Sequence, residues 1–238
     1  MSNRRNMRSR WPRGKPFSVT SLFVGQQAGW YRADRGVTGS PNITAVNDLS
    51  GQGWNLSVNV NSPQLVTDGG FPAIRMTGAS AQEVRVVAPT TCAFAYTVAM
   101  VAKIDTAALA GNRLFGVHRS RGVALGSNVG NYLLAHAGAV NITGGAVDTA
   151  NYKVIIATGG NASPFTPRLW VNGVLQTNSP AGNQSYLNAT SVGDFISIGY
   201  DAASTLGFIR EAIWIDRQIS DVEAANLNKY LSSQWVVA

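Results

Sequence analysis

Six short runs of β-branched and aromatic residues, separated by turn-forming residues, narrow the folds open to this chain more than any other feature. They are Thr97 to Ile104, Tyr152 to Thr158, Arg168 to Val171, Val174 to Thr177, Phe195 to Gly199 and Phe208 to Ile215. The third and fourth flank Asn172-Gly173, a pair that tolerates the positive φ of a type I′ turn, so a tight hairpin is predicted there. Several runs are apolar on both faces. Both faces must therefore be covered, as in the middle of a large sandwich or against a second subunit, and a homo-oligomer is expected on that ground. The 25 Gly and 9 Pro suit many short strands joined by tight turns, and 238 residues suffice for one undivided β-sandwich.

One segment departs from the strand pattern. Ser220 followed three residues later by Glu223 forms a capping box ahead of VEAANLNKYLSSQW, which predicts a short helix over about 220–235. Leu227, Tyr230, Leu231 and Trp235 share one face of it and should lie against the sandwich. At the other end, Phe17 to Val24 reads as a first strand rather than a secretion signal. Ser18, Thr20 and Ser21 interrupt its apolar character, and no small-residue cleavage site follows. No apolar run approaches the roughly 20 residues of a membrane span.

Charge is segregated. Of 19 basic residues, six lie in the first 16 positions (Arg4, Arg5, Arg8, Arg10, Arg13 and Lys15), and the rest of the chain holds 13 basic against 12 acidic groups. Residues 1–16 therefore read as an extended basic arm, with Trp11 as an aromatic anchor among the arginines, and 17–238 as a nearly neutral sandwich domain. Such an arm suits docking in a groove on another protein. The body offers no base-reading element, so no specific nucleic-acid partner is expected. Cys92 is alone, which excludes an intrachain disulfide, and its apolar surroundings read as those of a buried thiol.

Three stretches, taken in order, resemble the laminin-G-like modules of the concanavalin A-like jelly-roll superfamily. The first combines Gly29-Trp30-Tyr31-Arg32-Ala33-Asp34, Val46-Asn47-Asp48-Leu49-Ser50-Gly51-Gln52-Gly53 and Phe71-Pro72-Ala73-Ile74-Arg75-Met76-Thr77-Gly78. The second is Leu169-Trp170-Val171-Asn172-Gly173; the third runs from Ile198-Gly199-Tyr200 through Ile209-Arg210-Glu211-Ala212-Ile213-Trp214 to the helix. Asn47 and Met76 depart from the family's common residues. The resemblance covers about residues 28–236. It implies an all-β, concanavalin A-like jelly-roll β-sandwich with a short C-terminal helix packed on it, a fold that hosts lectins, glycanases and virion proteins alike.

Catalysis is not expected. A glycanase needs two carboxylates flanking the bond to be cut, yet Glu83, Glu211 and Glu223 are scattered, and Asp216 lies at an odd spacing from Glu211. Glu211 matches the family's strand glutamate and reads as a carboxylate hydrogen-bonded to loop backbone. His118 and His136 have neither a partner acid nor metal-ligand spacing. No cofactor is expected; Asp34, Asp48 and Asp201 are weak calcium candidates by their loop positions, and Asp48 reads rather as the organiser of its own Ser-Gly turn.

The function expected from these features is that of a non-enzymatic bacteriophage virion protein, a capsid decoration or head-fibre subunit. Its arm would dock on the particle, with the major capsid protein as partner, and its sandwich would face outward. The alternative is a carbohydrate-binding module for a host surface glycan, with Trp54 and Tyr200 as contact residues.

Overall fold

A computed structural model describes residues 17–78, 81–87, 95–105, 112–117, 123–128, 130–136, 140–159, 167–176, 195–200, 206–235 and 237; for 128, 133–136, 140–143 and 200 it describes the backbone alone. The strands in chain order are β1 (Ala28–Arg32), β2 (Val37–Thr38), β3 (Ala45–Val46), β4 (Leu56–Val60), β5 (Gln64–Asp68), β6 (Phe71–Thr77), β7 (Gln82–Val87), β8 (Tyr96–Lys103), β9 (Asn112–Val117), β10 (Val123–Asn128), β11 (Asn131–His136), β12 (Val140–Ala146), β13 (Lys153–Gly159), β14 (Arg168–Val171), β15 (Val174–Leu175), β16 (Phe195–Tyr200) and β17 (Leu206–Ile215). Helix α1 (Asp221–Trp235) follows. All six runs read from the sequence are strands, displaced by no more than two residues at either end.

Two antiparallel sheets face each other, as expected of an all-β sandwich. Sheet A has the order β15-β14-β13-β8-β17-β6-β5, with β1 on β17 beyond the end of β6; sheet B has the order β12-β11-β10-β9-β16-β7-β4-β3-β2. The strand alternation sorts side chains between two cores. On β8, Tyr96, Val98, Met100 and Ala102 enter the layer between the sheets, while Ala99 and Val101 point to the outer face of sheet A.

That outer face is sealed from within the chain. Ala224, Leu227, Leu231 and Trp235 of α1 pack on Ile156, Ile213 and Ile215, joined by Val19, Leu22 and Phe23. The second apolar face of β8, β13 and β17 thus needs no partner subunit, and the expectation of a homo-oligomer loses its basis. The first-strand reading of Phe17 to Val24 is corrected as well: Val19–Phe23 is a short 3-10 helix. The spacing of Val19, Leu22 and Phe23, three and four apart, brings all three onto the sheet, which an alternating strand would not do.

Local signals explain how the cover is seated. Asn172 and Gly173 have φ of 48° and 78°, as the hairpin requires, and Asn172 Oδ1 accepts the Val154 amide. Ser220 N and Oγ donate to Glu223 Oε2, which completes the capping box at the start of α1. A cross-strand pair, Thr97 and Thr158, holds the approach to the helix: Thr97 Oγ1 donates to Arg217 O, and Thr158 Oγ1 accepts from Ile219 N. Leu227→Ala empties the helix–sheet layer and should cost about 2–5 kcal/mol, whereas Val222→Ala, at an exposed helix position, should stay within about 0.5 kcal/mol; chemical denaturation of both variants checks this.

Candidate functional site

Among the described elements no helix packs on the outer side of sheet B, yet its centre is not bare: Ser197 is 6% and Phe195 7% exposed, and Gly116 is buried. Pairing registers a row across five of its strands: Ala124 (β10), Gly116 (β9), Ser197 (β16), Arg85 (β7) and Ser57 (β4). The first three are the smallest side chains a strand can carry, and they occupy adjacent strands. Strand spacing makes this low stretch roughly 10 Å long, with Arg85 one strand further on. Phe195 stands beside Ser197 on the same strand face, and Arg113 borders the row from β9.

Arg113 reaches this face because β9 is bulged. Leu125 pairs with Phe115 and Gly126 with Arg113, so Leu114 is the extra residue; Leu114 and Phe115 both enter the core, and Arg113 and Gly116 both turn outward. The glycine is required by the sheet itself, since a Cβ on Gly116 would meet Val123 O at 2.6 Å. The recess lined by Arg113, Gly116, Ala124, Phe195 and Ser197 encloses about 10 Å3, roughly one water molecule.

Charge on the same face is organised around a buried acid. Glu83 is fully buried on β7; Asn59 Nδ2 donates to its Oε2 at 2.7 Å, and Arg85 Nη1 lies 3.6 Å from that oxygen. The Arg85 guanidinium also covers the Phe195 ring at 4.7 Å.

Glu211 belongs to the other side of the molecule. Its carboxylate is fully buried under α1, where Trp30 Nε1 donates to Oε1 at 2.6 Å and Trp235 Nε1 donates to Oε2 at 2.5 Å. Arg32 approaches to 3.9 Å, lies over the Trp235 ring and forks onto Asp34 through Nε and Nη2, each at 2.8 Å. The partners of Glu211 are thus two indoles, not the loop backbone expected from the sequence. Desolvation by burial raises its pKa above the ordinary glutamate value despite these donors.

The remaining residues singled out from the sequence divide plainly. Trp54 is not a glycan platform: its ring stacks on Trp214 at 5.1 Å inside the core, and its carbonyl accepts Tyr31 Oη. Asp48 accepts the amides of Trp30, Ser50 and Trp54 and the Ser50 hydroxyl, which makes it the organiser of its turn. Asp34 is occupied by Arg32. Among the described residues no cluster of three or more His, Cys, Asp or Glu could hold a metal. Tyr200 ends β16, with its side chain outside the described residues. Arm residues Arg4, Arg5, Arg8, Arg10, Trp11, Arg13 and Lys15, together with Cys92, His118, Asp201 and the His136 side chain, also lie outside them.

Two glutamates should titrate with opposite signs. The Glu211 carboxyl, raised by burial, stabilises the fold in acid, and that contribution is lost as pH rises through its elevated pKa. Arg217 and Ser220 hold Glu223 down to about 2, so its contribution is present above the ordinary value near 4.5 and is lost as pH falls towards 2. Glu211→Gln leaves one indole facing an amide donor and should destabilise by about 1–3 kcal/mol. Thermal unfolding from pH 3 to 7 should show the Glu211→Gln penalty shrinking as pH rises and the Glu223→Gln penalty shrinking as it falls.

No protein family profile matches the chain, and no curated protein matches it in sequence. Solved structures match in fold. Domain 4 of AbnA, a GH43 extracellular arabinanase from Geobacillus stearothermophilus solved in complex with arabinotriose, is 13% identical with a TM-score of 0.63, over 85% of this chain and 98% of that one. Botulinum neurotoxin type C, whose cell entry depends on interaction with two ganglioside molecules, is 12% identical with a TM-score of 0.62, over 90% of this chain and 53% of that one. Trypanosoma rangeli sialidase is 12% identical with a TM-score of 0.60, over 90% and 33%. The chain spans about half the length of the toxin chain and a third of the sialidase. At these identities the shared property is the fold, an all-β sandwich of two antiparallel sheets.

Proposed function

We propose that this protein is a non-enzymatic carbohydrate-binding sandwich of the laminin-G-like kind, and that its ligand lies across the outer face of sheet B. The observation that carries the reading is the registered low row Ala124, Gly116 and Ser197, bordered by Phe195, Arg85 and Arg113. A flat, narrow strip edged by polar groups, from Ala124 to the exposed Ser57, suits the hydroxyls of a saccharide lying across the strands. Structural neighbours solved with arabinotriose, or dependent on gangliosides, use the same fold and support the reading.

The placement of acids on the described strands supports binding without turnover. The nine strands of sheet B carry one carboxylate, Glu83, and Glu211 lies behind sheet A under the helix. Glycoside hydrolysis generally needs a second carboxyl about 5–9.5 Å from the first. Glu83 is also committed to Asn59 and Arg85.

We propose a second, compatible role for the arm, whose six basic residues are segregated into positions 4–15. Docking of the arm on the major capsid protein would display the sandwich from a virion. Removal of residues 1–16 should then abolish particle association while leaving the sandwich folded; retained association would exclude the arm as the dock.

The binding face is tested by Ala124→Tyr, at a partly exposed position of the row, which leaves the core-facing neighbours Val123 and Leu125 in place. In calorimetric titration against a panel of plant and animal oligosaccharides, affinity should fall at least tenfold with the unfolding temperature nearly unchanged. Undiminished binding would place the ligand elsewhere.

A further inference from the structure

We infer that two copies of this chain pair edge to edge through β12, continuing sheet B across a two-fold axis. The faces of the sandwich call for no second copy, but the edges of its sheets are unlike one another. Backbone N–H and C=O groups along an edge strand are a template for another strand, and proteins blunt or cover them. Four of the five edges among the described strands are treated in that way. β15 and β2 hold two residues each. β5 is covered by residues 41–43, where Leu65 N donates to Pro41 O at 2.7 Å and Ile43 N to Pro63 O at 2.9 Å. On β1 the turn at Asp48 does the same: its carboxylate accepts the Trp30 amide, and Leu49 N donates to Trp30 O.

The exception is β12. It ends sheet B with seven residues, pairs on one side with β11, and has no described strand on the other. Gln176 meets it at Gly144, where a Cβ would lie 2.4 Å from the Gln176 side chain, but Gly144 is registered with the core residue Tyr132, so this contact comes across the sandwich and not along the edge. The sequence carries no blunting device either: from residue 122 to 147 there is no Asp, Glu, Lys, Arg or Pro. Val140-Asn141-Ile142-Thr143 is rich in β-branched residues, and alternate residues of an antiparallel strand turn N–H and C=O away from the neighbour they already have.

A second copy suits this edge better than a different partner. An uncharged strand gives a foreign protein no sign to complement, whereas it lets two identical strands meet without repulsion in a chain of formal charge +7. Antiparallel pairing about a two-fold axis matches the segment with itself and satisfies both edges in one step. Growth then stops, because the opposite edge of sheet B is the two-residue β2. The seam is also remote from the root of the basic arm, since Phe17 packs on Tyr230 of α1, over the other sheet. The pairing does not depend on which ligand sheet B binds.

The test is sedimentation of the full-length protein from about 1 to 200 μM. The unaltered chain should pass from monomer to dimer as concentration rises. Asn141 and Thr143 fall on the register rows of Ala124 and Gly126, so substitutions there leave untouched the row of Ile142, Leu134 and Leu125, which ends in the core. Asn141→Lys with Thr143→Lys, and Asn141→Glu with Thr143→Glu, should each weaken the dimer about tenfold or more by like charge at the seam. An equimolar mixture of the two variants should recover it. Leu175→Lys, on the exposed short edge at β15, should change nothing.

A monomer at every concentration would overturn the inference, as would a dimer that persists in both charged variants, a mixture that stays monomeric, or a dimer dissolved by Leu175→Lys. Growth beyond the dimer would overturn the two-fold closure. Should either charged variant fail to fold, hydrogen exchange of the unaltered chain decides: the amides of β12 that face away from β11 should exchange more slowly as concentration rises, and rates independent of concentration would contradict the pairing.

Discussion

The architecture turns on a single irregularity in its central strand. Along β17 the alternation places Phe208 outward and Ile209 inward, and then sets Arg210 and Glu211 together on the outer side before Ala212 returns to the core. Two adjacent ionic side chains thereby project under the helix. Glu211 gathers the indoles of Trp30 and Trp235, and Arg210 Nη1 and Nη2 donate to the carbonyls of Trp235 and Asp68. Arg210 is also held between Tyr152 and Phe71, at 3.5 and 4.8 Å from their ring centres. A buried charge is a weak source of net stability, because desolvation offsets much of the attraction. Its strength lies in selection: any other seating of α1 leaves a carboxylate or a guanidinium buried without its donors or acceptors.

The seating of the helix decides which side of the sandwich meets the outside. One sheet is closed on both faces by the chain itself, by α1 and by the turn at Val19–Phe23. Sheet B carries register shifts of its own, and the one in β9 turns Arg113 and Gly116 onto the same outer face. Each of these irregularities sets which side chains stand on an outer face: Arg210 and Glu211 under the helix on sheet A, Arg113 and Gly116 on sheet B.

Much of the scaffold could be read from residues alone, because its signals are local. Asn172-Gly173 sets a hairpin by its permitted φ values, Ser220 and Glu223 set a helix start, and the short apolar runs set the strands of an all-β sandwich. The site was less legible. Two adjacent charged residues within the apolar run of β17, and two adjacent apolar residues between Arg113 and Gly116, were the available signs of the bulges, but a reading based on strict alternation of period two passes over them. Trp54 illustrates the converse difficulty: sequence position beside a glycine loop says nothing about whether a ring points inward, and stacking on Trp214 depends on a residue 160 positions away. The row Ala124, Gly116, Ser197 and Arg85 exists only through strand register, which no local pattern encodes.

The central claim is that a saccharide binds across the outer face of sheet B while sheet A stays closed, and backbone amide chemical shifts during titration with an oligosaccharide that binds the protein test it most directly. The expected result is a cluster of perturbed amides at Arg113, Gly116, Ala124, Ser197 and Arg85, with α1 and the outer residues of β8 and β13 unmoved. Perturbations confined to the helix, to the edge at β14 and β15 or to the basic arm would contradict the account.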